Sequence, residues 1–144
     1  MSGGYYSIAT TRKSNKKAEL LSLGEDLVIA TEEGDMVARV MEITSSKGAR
    51  VIFDPVAGAF LEKLAEPSTI GGIVFEYGWL AMQPTPLPLV TVLLQGLSIH
   101  GYSLMEVARN PEKVPAAKKY VYDQGWRMGD SIRRPQGYFR SRRP

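Results

Sequence analysis

The chain reads as an α/β protein built on a parallel sheet of about five strands with flanking helices. Three observations predict this. Short apolar runs rich in β-branched side chains recur along the chain, segments of helical period separate them, and glycine or proline stands at most of the junctions. Strands that alternate with helices in this way are joined by crossovers, which make neighbouring strands parallel.

Residues 48–59 (GARVIFDPVAGA) show the unit most clearly. The run 50–53 is strand-like, and Asp54-Pro55 ends it because proline has no N–H to give to a ladder. Gly58 opens an amphipathic run, so the unit is strand, tight loop, helix. In such sheets ligands sit at the carboxyl ends of the strands, and Asp54 and Val56 therefore occupy the place for chemistry.

The other elements follow in order. Residues 5–10 (YYSIAT) are β-rich; Ser14 is suited to cap a helix whose apolar positions are Ala18, Leu21 and Leu20, and Gly24 stands where a helix-terminating glycine belongs. Residues 26–30 (DLVIA) form a buried-type strand, and Asp35 caps a helix through Met36, Val37, Val40 and Met41 that ends near Gly48. After the 50–53 strand, Phe60, Leu61 and Leu64 lie on a helix stopped by Pro67. Gly71-Gly72 turns the chain into a strand over residues 73–77 (IVFEY), which ends at Gly78. Residues 82–88 (MQPTPLP) are a stiff loop, 89–95 a short helix and 97–101 (LSIHG) a fifth strand. Ser103 and Glu106 have capping-box spacing, and Asn110-Pro111 starts a last helix that runs to about Asp123.

Composition narrows the function classes. The chain of 144 residues fits one domain, and 44% hydrophobic with 23% charged residues is ordinary for a globular protein. There is no cysteine and a single histidine, His100, so neither disulfides nor a Cys/His zinc site can form. The longest apolar run, around 87–94, is too short and too rich in proline to span a bilayer, and the N-terminus lacks signal-peptide order. A soluble cytoplasmic protein with no membrane partner is expected. The net charge of +3 belongs to the C-terminal residues: 125–144 carry a local +5, which leaves 1–124 at −2. We therefore divide the chain into a domain, 1–124, and a basic tail, 125–144, expected to be disordered rather than a nucleic-acid arm. His100 is given no role, and Met36, Met41, Met82 and Met105 are core or loop filler.

The stretches IATTRKSNKKAELLSLG, DLVIATEEGDMVARVMEITSSKGARVIFDPVAG and GLSIHGYSLMEVARNPEKV, in this order and spacing, resemble the cofactor-binding half of medium-chain dehydrogenases/reductases. The likeness is to the zinc-free, quinone oxidoreductase-like branch and covers about residues 5–123. It implies an incomplete Rossmann-like fold, truncated at both ends. The Gly-rich phosphate loop of the family would precede residue 5, where only Gly3-Gly4 stands, and the substrate domain is missing.

The resemblance implies hydride transfer between NADPH and a quinone, enone or related carbonyl compound. It places Thr11, Arg12 and Lys16 around a 2′-phosphate, where NAD-preferring sheets carry an acidic residue, and Asp54, Val56, Tyr77 and Gly78 along the nicotinamide and its ribose. No catalytic residue is assigned, and the isolated chain is expected to be inactive. The residues themselves leave blander readings open: a solvated polar strand end at Arg12, an Asp54 that caps the next helix, a Gly78 that allows a turn. The competing functions are a non-catalytic α/β module that keeps only the family's dimerisation surface, through the 97–101 edge strand, and an unrelated nucleotide- or S-adenosylmethionine-binding domain, which would also want a glycine-rich first loop. In the family's register the absent first strand would lie between strands 5–10 and 50–53. Bare inner edges on these two apolar strands would strand several buried backbone groups, at about 1–3 kcal/mol each; of direct pairing, a second copy covering the edge or a partly molten chain, direct pairing in one sheet is expected.

Overall fold

The structure is a computed structural model that describes residues 6–128, with side chains described as far as Asp123. In chain order it runs β1 (Ile8–Thr11), a 3-10 turn (Ser14–Lys16), α1 (Lys17–Ser22), β2 (Leu27–Ala30), α2 (Met36–Ile43), β3 (Ala49–Asp54) and α3 (Phe60–Ala65). Then come β4 (Ser68–Glu76), α4 (Leu89–Gln95), β5 (Ser98–Gly101), α5 (Met105–Ala108) and α6 (Lys113–Met128). The α/β class and the parallel pairing hold throughout: β1 pairs with β2, β3 with β4 and β4 with β5, all parallel.

The sheet, however, is divided. The strands form a two-stranded sheet, β1-β2, and a three-stranded sheet, β3-β4-β5, with no ladder between β1 and β3. The expected direct pairing of these two strands does not occur. The cost that argued for it assumed buried edges, whereas Thr10 and Arg50 are exposed, Val51 is 45% exposed and Phe53 67% exposed. Water can serve backbone groups at such an edge, which removes most of the penalty.

Side chains do the joining instead. One buried cluster is Ile52, Leu61, Ala65, Val74 and Leu97, where β3, β4 and α3 meet; a second is Ile29, Met36 and Val40, where β2 meets α2. Ala49 and Leu64 pack against both clusters, so α2 and α3 form one apolar layer under both sheets. Among the described residues no helix covers the opposite face of the three-stranded sheet. Strand side chains alternate between faces, and here Phe53 and Phe75 stack with ring centroids 5.3 Å apart while Phe75 sits 5.9 Å from His100.

Several local expectations need correction. Strand β4 starts at Ser68 rather than at 73: the ladder jumps from Ala49↔Ser68 to Val51↔Ile73, so Gly71-Gly72 lies in a bulge inside the strand. Gly71 has φ +67°, which suits that irregular turn. Ser14 caps nothing with its side chain, because it lies inside the 3-10 turn and its N–H is taken by Glu33 Oε1 at 2.8 Å. Ser103 Oγ accepts from Met105 N–H at 3.2 Å, one residue short of the capping-box bond to Glu106. Helix α6 continues to Met128, past Asp123 and into the segment read as tail. Residues 129–144 of that tail lie outside the described residues.

Other expectations are met. Asp35 Oδ1 accepts from Ala38 N–H at 3.1 Å as a helix cap, and Asn110 Oδ1 accepts from Glu112 N–H at 3.0 Å ahead of α6. Gly48 is required where it stands: φ is +77°, and a Cβ there would lie 2.7 Å from the Ser68 carbonyl carbon. Among the described residues no helix is long and apolar enough to cross a membrane.

The two-cluster core predicts a sharp contrast. Met36 is fully buried under the two-stranded sheet, and Met36→Ala is expected to lower stability by about 2–5 kcal/mol. Leu94 is 79% exposed, and Leu94→Ala is expected to stay within about 0.5 kcal/mol. Urea denaturation followed by circular dichroism measures both, and equal costs would mean that the core is not where the structure places it.

Candidate functional site

The carboxyl ends of β3, β4 and β5 are tied into one platform by backbone hydrogen bonds. Tyr77 N–H donates to the Asp54 carbonyl at 3.1 Å, and Tyr102 N–H donates to the Glu76 carbonyl at 2.8 Å. The loop after β4 then rides along the loop after β3, with Leu80 N–H on the Pro55 carbonyl at 3.1 Å and Ala81 N–H on the Val56 carbonyl at 2.9 Å.

Asp54 sets the shape of the first loop. Only 1% exposed, it turns Oδ1 back on its own chain and accepts from Val56 N–H at 2.8 Å and Ala57 N–H at 3.1 Å. This side-chain-to-backbone turn is why an aspartate before proline ends the strand so abruptly. It also holds Ala57 at φ +58°, a conformation costly for a residue with a Cβ. Gly58 N–H donates to Thr85 Oγ1 at 2.9 Å, so the proline-marked loop also holds this turn. Gly78 completes the fit: a Cβ there would lie 2.4 Å from the Pro55 carbonyl oxygen.

Four of the residues singled out from the sequence, Asp54, Val56, Tyr77 and Gly78, thus meet at one place. Val56 is 38% exposed and Tyr77 50% exposed, and the Tyr77 ring stands edge-on to Phe53 at 6.5 Å. The other three, Thr11, Arg12 and Lys16, lie at the end of the other sheet. There the Thr11 carbonyl accepts from Thr31 N–H at 2.8 Å and the Arg12 carbonyl from Glu32 N–H at 3.0 Å. That corner is of mixed charge. The Ser14 backbone N–H, together with the Ser14 side chain, holds the Glu33 carboxyl below the usual carboxylate range. An open cleft beside it is lined by Ser14, Lys17, Ala30, Glu33, Asp35 and Arg39.

Sequence reasoning missed two residues here. Thr85 carried no signal, because its partner lies 27 positions away. Glu76 did carry one, a lone acid closing the apolar run IVF. Burial pushes its carboxyl up to about 7, and the neighbouring Asp54 adds to the shift.

For a zinc centre the residues do not fit. The chain has no cysteine and one histidine, and the described residues contain no group of three or more potential ligands.

The close approach at Gly78 is testable. Gly78→Ala is expected to displace the 54–58 loop and to cost about 1–3 kcal/mol, as overpacking does. Thermal unfolding measures the loss, and an unchanged midpoint would show that the two loops are not in contact.

Comparison with known proteins agrees with this architecture. The sequence model of the family described as zinc-binding dehydrogenase matches residues 2–120. The mitochondrial enoyl-[acyl-carrier-protein] reductase of Schizosaccharomyces pombe is 28% identical over 107 residues, which are 69% of this chain and 29% of that protein. The Escherichia coli quinone oxidoreductase, solved in complex with NADPH, superimposes with a TM-score of 0.77 at 23% identity, over 89% of this chain and 39% of that one. A quinone oxidoreductase of Pseudomonas syringae pv. tomato DC3000 gives 0.76 at 22% identity, over 88% and 38%. Identities this low speak for the fold alone, and the chain spans well under half the length of each of these relatives. The match over residues 2–120 is the wider observation, and by it the chain belongs to the zinc-binding dehydrogenase family, as a cofactor-binding domain of the medium-chain dehydrogenase/reductase kind.

Proposed function

We propose that the chain is the cofactor-binding part of an NADPH-dependent oxidoreductase that moves hydride between NADPH and a quinone, enone or related carbonyl compound. The observation that carries this reading is the platform at the strand ends. Within a family match over residues 2–120, Asp54, Val56, Tyr77 and Gly78 converge at the carboxyl ends of β3 and β4, where sheets of this kind bind ligands. The NADPH held by the Escherichia coli neighbour supports the choice of cofactor.

The cofactor would supply the hydride. In this reading Asp54 would fix the loop that holds the nicotinamide end, with Val56, Tyr77 and Gly78 packed beside it. Thr11, Arg12 and Lys16 take the 2′-phosphate, with the guanidinium as its natural partner. Glu33 opposes them, since its carboxylate already holds the Ser14 N–H. The 144 residues contain no Gly-rich loop leading from a strand into a helix, the usual seat of a pyrophosphate. Binding by this chain alone is therefore weak, and turnover is absent.

A second reading is favoured by one observation. In α4, the helix that leads into the edge strand β5, Val90, Leu93 and Leu94 are 69%, 71% and 79% exposed. A non-catalytic module that pairs with a second copy through residues 97–101 would use such a surface, and dimerisation without cofactor binding would identify it.

Calorimetric titration with NADPH and NADH separates these readings. Micromolar or weaker binding with preference for NADPH is expected, and Arg12→Ala should weaken NADPH about tenfold, equivalent to about 1.4 kcal/mol, without affecting NADH. Glu33→Gln should strengthen NADPH, because it removes an opposing charge. No preference between the cofactors would remove the assignment of Arg12, and steady turnover of a quinone would overturn the expectation of inactivity.

A further inference from the structure

We propose that Asp54 and Glu76 share a single proton, and that this proton locks the end of β3 to the end of β4 until rising pH removes it. The inference goes beyond the cofactor reading and does not depend on it.

Register is the first support. Asp54 and Glu76 are direct partners in the parallel ladder, so their side chains leave the same face of the sheet, that of Ile52 and Val74 two residues earlier. The second is satisfaction. Asp54 Oδ1 is used by Val56 and Ala57 N–H, while Asp54 Oδ2 and both Glu76 carboxyl oxygens are closed from solvent and have no donor among the described residues. Three buried acceptors facing one another without a donor are unstable as two carboxylates, since both desolvation and mutual repulsion oppose the second charge. No solvent reaches these oxygens, so the occupant that fits without rearrangement is a proton. A carboxyl–carboxylate hydrogen bond then joins the two residues, which the β3–β4 register already sets side by side.

Among the described residues the surroundings offer no competing countercharge. From β5, Tyr102 gives only its backbone N–H to the Glu76 carbonyl. Helix α4 has no ionisable side chain, and Glu62 and Lys63 of α3 are exposed. Tyr77 follows Glu76 and is half exposed, and His100 lies beside Phe75, whose side chain leaves the sheet on the face opposite Glu76. The shared proton accordingly sits where the loops after β3, β4 and β5 meet.

The sign follows from linkage. A Glu76 carboxyl held at about 7 in the folded chain, against 4.5 ordinarily, binds its proton more tightly folded than unfolded. The stability it contributes is complete below about 4.5 and is lost as pH rises to about 7, after which it is flat.

The test uses the whole chain. In the wild-type protein the carboxyl carbon of Glu76, followed by NMR, should titrate near 7, and exchange of the Val56 and Ala57 amides, corrected for intrinsic rate, should quicken between pH 5 and 8. Glu76→Gln keeps a neutral donor, and Asp54→Asn keeps Oδ1 while placing an amide donor toward Glu76. Glu76→Gln should abolish the fall in melting temperature over that range and Asp54→Asn should reduce it, whereas His100→Gln should retain it. A Glu76 titration at the ordinary value, or a Glu76→Gln variant with the wild-type pH slope, would overturn the proposal. Should one variant fail to fold, the wild-type titration decides alone.

Discussion

Two parallel sheets that share no backbone ladder are held in one molecule by a single apolar layer, and most of what the chain can do depends on it. Ala49 and Leu64 pack against both buried clusters, so β2 with α2 and β3-β4 with α3 cannot shift independently without opening the core. Hydrophobic contact is non-directional and tolerates the break between β1 and β3, where a hydrogen-bonded ladder would not. The division has a visible consequence on the opposite face. Phe53, Phe75, Tyr77 and His100 form an aromatic row that no helix covers among the described residues, and β3 has an exposed face on that side.

The same layer sets the strand ends in line. Once Ile52 and Val74 are fixed in the core, Asp54 and Glu76, two residues on, must emerge side by side. The side chain of Asp54 then organises the loop, and the tight approach of Gly78 to Pro55 carries that order across to the next strand. Placing two carboxyls on one buried face is an electrostatic burden. Such burdens are commonly found where a fold serves a ligand or a switch rather than its own stability.

The distal corner follows another logic. Arg12 and Lys16 were singled out for their charge, yet the Ser14 backbone N–H beside them is held by Glu33, and the corner balances cations against Glu32, Glu33 and Asp35. In the proposed reading, selectivity for a phosphorylated ligand there would be a difference between opposing charges, not the sum of favourable ones.

By itself the sequence determined the α/β class, the order of the elements, the parallel crossovers and the caps at Asp35 and Asn110. These are local properties, written in hydrophobic period, cap chemistry and the positions of glycine and proline. It also marked Asp54 and Val56 by their place at a strand end, while Tyr77 and Gly78 were singled out through the family resemblance. The tertiary structure alone decided that the sheet divides, since the cost of a bare edge depends on burial, which no local pattern encodes. It alone put the bulge inside β4, joined Gly58 to Thr85 and gave the Ser14 N–H to Glu33, contacts between residues 19 or more positions apart. Above all it placed Glu76 against Asp54. The sequence showed two acids 22 positions apart, and only the register of β3 on β4 makes them partners in one buried site.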